Sequence, residues 1–375
     1  MKEVYLSLIC SLAIAIAAIP TIIRISYLKH LYDVPDDRKV HGKAIPTLGG
    51  LAIFAGFAIS MSIFAPSEVN FIASEVKFIK YQYLYAALLI IFFTGIQDDI
   101  LSISPLKKLL GQIIAAALVV LMGGVKLTSM HGLFGIQEIQ ESWSIALTIF
   151  TLLVVMNGSN LIDGINWLSG GVGIVVSLAF GAFFLINGRH ELAIISSSLI
   201  GGIIGFMWFN RTPAKIFMGD TGSLIIGLIN GVLCIYFINI NGTAAPLTFE
   251  ASPIVAFGIL IIPLFDTLRV FLWRMLRGKS PFSPDRNHIH HRLLELGHSH
   301  MKSSAIIVLT NIAFITFLYF AHDKINSFIL LLILLGSAAT LSYLPSMILK
   351  RRKNEGQDVP VKNTRTKRPP LSKVS

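Results

Sequence analysis

The sequence predicts an all-α polytopic membrane protein of about eleven transmembrane helices. Three observations carry this. Hydrophobic residues make up 54% of the 375 and charged residues only 14%, against roughly 25% charged in soluble domains. Apolar stretches of spanning length recur from end to end. Nothing alternates with the period of two that a barrel strand needs, and hydrocarbon tolerates no lipid-exposed irregular backbone, so the spans are helices.

The first stretch, about 4–24, has only Lys2 ahead of it and is longer than the apolar part of a secretory signal, so it reads as a retained span. The others fall at about 47–65, 81–97, 107–125, 143–158, 168–187, 191–209, 221–239, 253–273, 303–321 and 326–347. Each approaches or exceeds the roughly 17–25 residues a spanning helix needs. Residues 1–349 form one transmembrane domain with a basic, His-rich loop at about 274–302, and 350–375 form a polar, basic tail predicted to be disordered at the membrane surface. Cys10 and Cys234 both lie in apolar runs and frame neither a disulfide network nor a zinc site.

Lys and Arg set the orientation. With the N-terminus outside, 25 of the 31 basic residues fall on cytoplasmic segments. The C-terminus is then cytoplasmic as well. The net charge of +11 is thereby explained by topology, and nucleic acid is not implied. This orientation, fixed without reference to acids, also gathers Asp98, Asp99, Asp163, Asp220 and the histidines 288, 290 and 291 on the cytoplasmic face. Carboxylates are costly at membrane depth, so acids at apolar boundaries suggest a site for a charged, phosphorylated substrate.

Each polar segment has its own chemistry. Asp98 and Asp99 repel one another at the end of LLIIFFTGI unless a cation lies between them or one is protonated. Asp220 stands between Gly219 and Gly222, which permit close approach of a ligand, and hard oxygen donors with phosphate imply Mg²⁺ or Mn²⁺. The alternative for Asp220 is a helix N-cap. Asp163 lies in NGSNLIDGINWLSGG, where Asn157, Asn160 and Asn166 add amide groups suited to a nucleotide or phosphate. HIHH at 288–291 suits phosphate binding or proton handling, since zinc sites show other spacings. Lys43, Lys107, Lys108, Arg211, Lys215 and Arg292 surround the acids, mostly as topological anchors, with a few available to neutralise a diphosphate. No Walker loop and no Rossmann glycine motif occurs.

Together these segments resemble the polyprenyl-phosphate N-acetylhexosamine-1-phosphate transferase family, in order, from about residue 30 to 300. The phospho-MurNAc-pentapeptide translocases are more distant relatives. The resemblance implies transfer of a sugar 1-phosphate from a UDP-N-acetylhexosamine to undecaprenyl phosphate, with UMP released, at the cytoplasmic membrane of a bacterium. GlcNAc is the sugar expected, and a homodimer is compatible with the sequence. Asp98 and Asp99 look like the family's acidic pair, Lys108 like its downstream lysine, and Asn160 and Asp163 like its N-x-x-D-G segment. Asn210 and Asp220 look like the paired Asn and metal-binding Asp of N-x-x-P-A-x-x-F-M-G-D, and HIHHR like the His motif of the hexosamine branch.

The expected catalytic residues are therefore Asp98, Asp99, Asp163, Lys108, His290 and His291. Substrate contacts are expected from Lys43, Asn160, Asn166, Asn210, His288 and Arg292, and metal contacts from Asp220 and Asp99. One departure stands out: many relatives read DGLDGL where this chain reads DGINWL, so Asn166 and Trp167 replace Asp and Gly. A different class, an ion- or proton-coupled transporter, would also carry acids and His in membrane helices. It would show internal repeats and mid-span breaks, and neither is evident here.

Overall fold

The computed structural model describes residues 1–32, 45–65, 80–241, 246–276, 278 and 288–355. Lys43 and the tail beyond 355 lie outside them. The described chain is nearly all helical, without a strand among the described residues, and isolated bridges such as Ser129 with Glu138 are its β-type features. In order, the helices are α1 (Lys2–Leu28), α2 (Gly49–Phe64), α3 (Tyr81–Leu101), α4 (Pro105–Ala117, running on into a π turn, Leu118–Met122), α5 (Glu141–Leu161), α6 (Leu168–Ile186), α7 (His190–Asn210), α8 (Gly219–Ile240), α9 (Ser252–Ile259), α10 (Ile261–Leu276), α11 (Ile289–Glu295), α12 (His300–Ala321) and α13 (Ser327–Asn354).

Nine of the helices in the described residues are long and apolar enough to cross a membrane. Two expected spans differ. The stretch at 47–65 yields only the 16-residue α2. Residues before it run instead against the 216–218 segment, where Phe217 N–H donates to Pro46 O at 2.7 Å and Gly49 N–H to Phe217 O at 2.9 Å. The stretch at 253–273 is not one straight helix but α9 and α10, bent by 82°. Pro263 explains the break: its ring would meet the carbonyl of Ile259 and it has no N–H to donate there, so the helix stops at Leu260 and restarts.

Burial grades outward from α8, in which 94% of the apolar window is buried, to α1 and α13 at 22%. Lipid tails are as apolar as Leu, so helices in a membrane associate through close packing and interhelical hydrogen bonds. Both devices are present. A Cβ at Gly56, Gly201 or Gly205 would run into the facing α1. Ser60 Oγ donates to Ser7 O at 2.7 Å, and the Ser7 and Ser197 hydroxyls meet at 2.6 Å. Large apolar side chains such as Phe93, Trp143 and Met347 are exposed on the outside, as a lipid-facing surface requires.

The consequence for function is geometric. The C-terminal ends of α3, α5 and α7 and the N-terminal ends of α4 and α8 meet on one face of the bundle, joined by the side-chain bonds described next.

Candidate active site

The site is built around the first turn of α8. Gly219 has φ +74°, and a Cβ there would meet Thr47 O and lie 2.6 and 2.7 Å from the two oxygens of Asp99. Glycine is therefore required twice over, for its conformation and for the approach of α3. At Gly95 of α3 a Cβ would meet the Thr221 backbone, and at Gly50 of α2 it would meet Gly222, so three helix ends converge within backbone contact.

The two acids of the 98–99 pair have separate tasks. Asp99 accepts from Asp220 N–H at 2.7 Å, Thr221 N–H at 3.1 Å and the Thr221 hydroxyl at 2.6 Å. It supplies the cap that α8 lacks in its own sequence and sits where the helix dipole favours an anion. Both its oxygens are thus engaged by protein, which makes its expected part as a metal ligand secondary to holding α8. Asp98 points the other way, to Lys108 Nζ at 3.1 Å.

Lys108 is the centre of the charge cluster. Its ammonium is held by Asp98, by Asn160 Oδ1 at 3.0 Å and by Asp220 Oδ2. Asn160 in turn donates to Asp220 Oδ1 at 2.8 Å and to Ser223 Oγ at 2.9 Å. Gln112 and Asn157 bond to each other, Asn157 Nδ2 donating to Gln112 Oε1 at 2.8 Å, and this pins α4 on α5 so that Lys108 and Asn160 stay in register. Lys107 is exposed, so of the two adjacent lysines only Lys108 reaches the acids.

Asp163, in the loop after α5, accepts from Gly219 N–H. Burial, with the nearby carboxylates of Asp220 and Asp99, pushes its carboxyl well above the usual range against the pull of that N–H. Asp98 and Asp220 bond one ammonium while Asp99 and Asp163 crowd beside them, a gathering of carboxyls that a cation relieves. Among the described residues no cluster of three or more His, Cys, Asp and Glu forms a ready metal cage. The donor set fits Mg²⁺ nonetheless, because that ion takes one or two carboxylates and completes its shell with substrate phosphates and water. The oxygens of Asp98, Asp220 and Asn160 already surround a cation, the Lys108 ammonium.

The His motif forms a second cluster. His288 is buried and its Nδ1 lies 2.8 Å from Asp266 Oδ2. Asp266 Oδ1 accepts from Arg269 at 2.8 Å and from Ile289 N–H at 3.3 Å. His290 is 2% exposed, with Nε2 buried and unpartnered. It presses on Gly164, where a Cβ would collide with that nitrogen and lie 3.0 Å from two ring carbons. Burial and the neighbouring His291 lower His290 to about 3, so its ring is neutral at ordinary pH. His291 stacks near His290 with ring centres 4.2 Å apart, and Arg292 pairs with Glu295 at 2.9 Å. Gly164 follows Asp163 directly, so the two clusters touch at that loop.

Asn210 and Asn166 have other occupations than the expected substrate contacts. Asn210 accepts from Trp167 N–H and donates to Ile216 O, both at 2.8 Å, which ties three segments together. Asn166 donates to Thr212 Oγ1 at 3.1 Å, while its backbone carbonyl accepts from Ser304. Trp167 has φ +72°, the conformation that the Gly of the relatives' motif adopts freely. Its indole N–H compensates by donating to Met207 O at 2.9 Å. Asp266 and Arg269 were missed by the sequence reading. The signal was present, since two charged residues interrupt the apolar run LIIPLFDTLRVFL.

Comparison with known proteins identifies the family. The model of glycosyl transferase family 4 matches residues 81–238, which hold Asp98, Lys108, Asn160, Asp163 and Asp220. A probable undecaprenyl-phosphate N-acetylglucosaminyl 1-phosphate transferase of Bacillus subtilis is 30% identical over 318 residues, 84% of each chain. The chain belongs to glycosyl transferase family 4. Other relatives within reach of this family-4 chain include a decaprenyl-phosphate N-acetylglucosaminephosphotransferase of Mycolicibacterium smegmatis, 32% identical over 73% of this chain and 71% of its own. The undecaprenyl-phosphate alpha-N-acetylglucosaminyl 1-phosphate transferase of Escherichia coli K12 is 33% identical over 74% and 73%. The family-4 protein is a membrane-embedded transferase, which decides between the transferase and transporter readings of its acids.

Proposed function

We propose that this protein transfers N-acetylglucosamine 1-phosphate from UDP-N-acetylglucosamine to undecaprenyl phosphate, releasing UMP, on the cytoplasmic face of a bacterial inner membrane. The observation that carries the reading is the Asp98–Lys108–Asn160–Asp220 cluster at the meeting of helix ends, in a chain whose relatives carry that activity in their names. A phosphate on a lipid reaches such a place without leaving the bilayer.

The reaction is a displacement at phosphorus. An oxygen of the lipid phosphate attacks the β-phosphorus of the UDP-sugar, the bond from that phosphorus to the bridging oxygen breaks, and UMP leaves. Asp98 takes the proton if the lipid phosphate carries one, or orients it if not. Lys108 neutralises charge that builds on the diphosphate. Asp220 and Asp98, with Asn160, are the groups that would hold Mg²⁺, which supplies charge neutralisation of the diphosphate when bound. Asp99 and Asp163 keep the α8 turn in place beside them. The His288–His291 segment and Arg292 border the sugar-nucleotide side, where His290 offers an unused ring nitrogen. Phosphoryl transfer asks mainly for positioning and charge stabilisation, and this set provides both.

The test is UMP release by purified protein in detergent with UDP-GlcNAc, Mg²⁺ and undecaprenyl phosphate. Release that needs all three and disappears in Asp220→Asn supports the reading. Absence of release from folded protein with any UDP-N-acetylhexosamine overturns it.

A further inference from the structure

The reaction leaves one buried carboxylate among the described residues without a task. Asp266 lies on α10 and is 3% exposed. Its three contacts are all donors: the His288 ring, the Arg269 guanidinium and the Ile289 N–H. A carboxylate that meets only donors acts as acceptor, so the proton of the His288 imidazole sits on Nδ1 and the other ring nitrogen, Nε2, is left as the chemically variable end. The Ile289 contact has a second effect. Ile289 is the first residue of the seven-residue α11, so Asp266 also fixes how that short helix starts. His290 is the next residue, and α11 presses its ring onto Gly164 beside Asp163.

The chain of contact therefore runs from α10 through Asp266 to His288 and α11, then through His290 to the loop that carries Asp163. Arg269 balances the charge of Asp266 from one helical turn away and lies over the Tyr343 ring of α13 at 5.9 Å, which seats the pair against a second helix. Burying such a group without a task is costly, since an isolated charge loses its hydration. A plain apolar residue at 266 would let α10 pack as well.

We propose that Asp266 is a positioning residue of the transfer reaction: it orients the His288 ring and the start of α11, and so holds His290 at the Asp163–Gly164 loop. It acts through the histidines and does not touch substrate. The inference rests on the transferase reading above. Groups that hold a functional side chain in its tautomer and orientation typically cost 10- to 100-fold in affinity or activity when removed.

The experiment is a double-mutant cycle in the UMP-release assay, with Asp266→Asn, His288→Gln and the pair. Wild-type activity comes first, because no UMP release from wild type would strike the transferase reading and not this one. The expected result is a fall of about 10- to 100-fold in kcat/KM for UDP-GlcNAc in Asp266→Asn. The KM for undecaprenyl phosphate stays within about two-fold, since the lipid site belongs to the other cluster. In the His288→Gln background the same substitution costs less than about three-fold, because residues acting as a unit are not additive. A general packing defect would instead lower activity by equal factors in both backgrounds. Full additivity, or unchanged kinetics in Asp266→Asn, overturns the proposal. Should Asp266→Asn fail to fold, as judged by thermal unfolding in detergent, His288→Gln alone decides: unchanged kcat/KM for UDP-GlcNAc overturns the proposal, and a loss of the stated size supports it.

Discussion

The two polar clusters of this molecule differ in how their hydrogen-bonding capacity is used. Around α8 the side chains spend themselves on one another: both oxygens of Asp99, both of Asp220 and both ends of Asn160 are bonded. Around α11 capacity is left over, with His290 Nε2 buried and unpartnered. A closed set of charges makes a rigid electrostatic mould, which suits a step whose demand is charge stabilisation. An open donor or acceptor held in a dry place is costly until something fills it, which suits recognition of a ligand.

The comparison is broken most severely at Lys108. In Lys108→Gln the carboxylates of Asp98 and Asp220 face each other without the ammonium, and UMP release is expected to fall about 10²- to 10³-fold. Activity that stays within ten-fold of wild type would mean that the mould does not depend on its one cation. The next effect separates the acidic pair. Asp99→Asn removes the charged cap of α8 and is expected to cost about 1.5–3 kcal/mol of stability as well as activity. Asp98→Asn is expected to lose activity with stability within about 1 kcal/mol, as for a partly exposed ion pair. Thermal unfolding of both variants in detergent checks this, and equal losses of stability would remove the distinction.

A third measurement sharpens the open cluster. The buried His290 ring titrates at about 3 in the folded protein, against its usual 6.5. Below 6.5 the unfolded chain therefore binds a proton that the folded one does not, so this residue's share of stability is whole above 6.5 and is lost as pH falls toward 3. Between pH 6.5 and 5 wild type should lose on the order of 2 kcal/mol more than His290→Gln. Parallel stability profiles would show that the ring is charged in the folded state. The smallest effect is at Trp167. Trp167→Gly relieves a left-handed conformation worth roughly 1–2 kcal/mol and forfeits an indole hydrogen bond worth about 1, so stability should change by less than about 1 kcal/mol. A loss beyond 3 kcal/mol would show that the indole is a principal anchor of the loop.

Much of this was legible in the chain. Helix class and nearly all span positions follow from apolar length alone, because hydrocarbon leaves the backbone no other choice. Asp98 and Asp220 stand out as acids at apolar boundaries, whereas Lys108 and Asn160 are singled out by the family resemblance. Other features needed the third dimension. The stretch 253–273 reads as one span in the sequence, and only the fold shows its break before Pro263. Asn166 and Asn210 have the right chemistry for a nucleotide, and only the fold shows them turned to Thr212 and to backbone. Asp266 was lost in the average of a long apolar run, since its partner His288 is 22 residues away. Likewise the different tasks of Asp98 and Asp99 depend on which side of α3 faces α8.

The bend at Leu260 has one more consequence. α9 has only eight residues, too few to cross a bilayer by itself, and α10 leaves it at 82°. Leu268, Leu272, Met275 and Leu276 are exposed along it at helical spacing, while Asp266, Val270 and Arg274 face inward. One side of α10 is thus apolar and exposed while the other packs on the protein. The same helix therefore carries an apolar outer stripe on one side and the Asp266 anchor of His288 on the other.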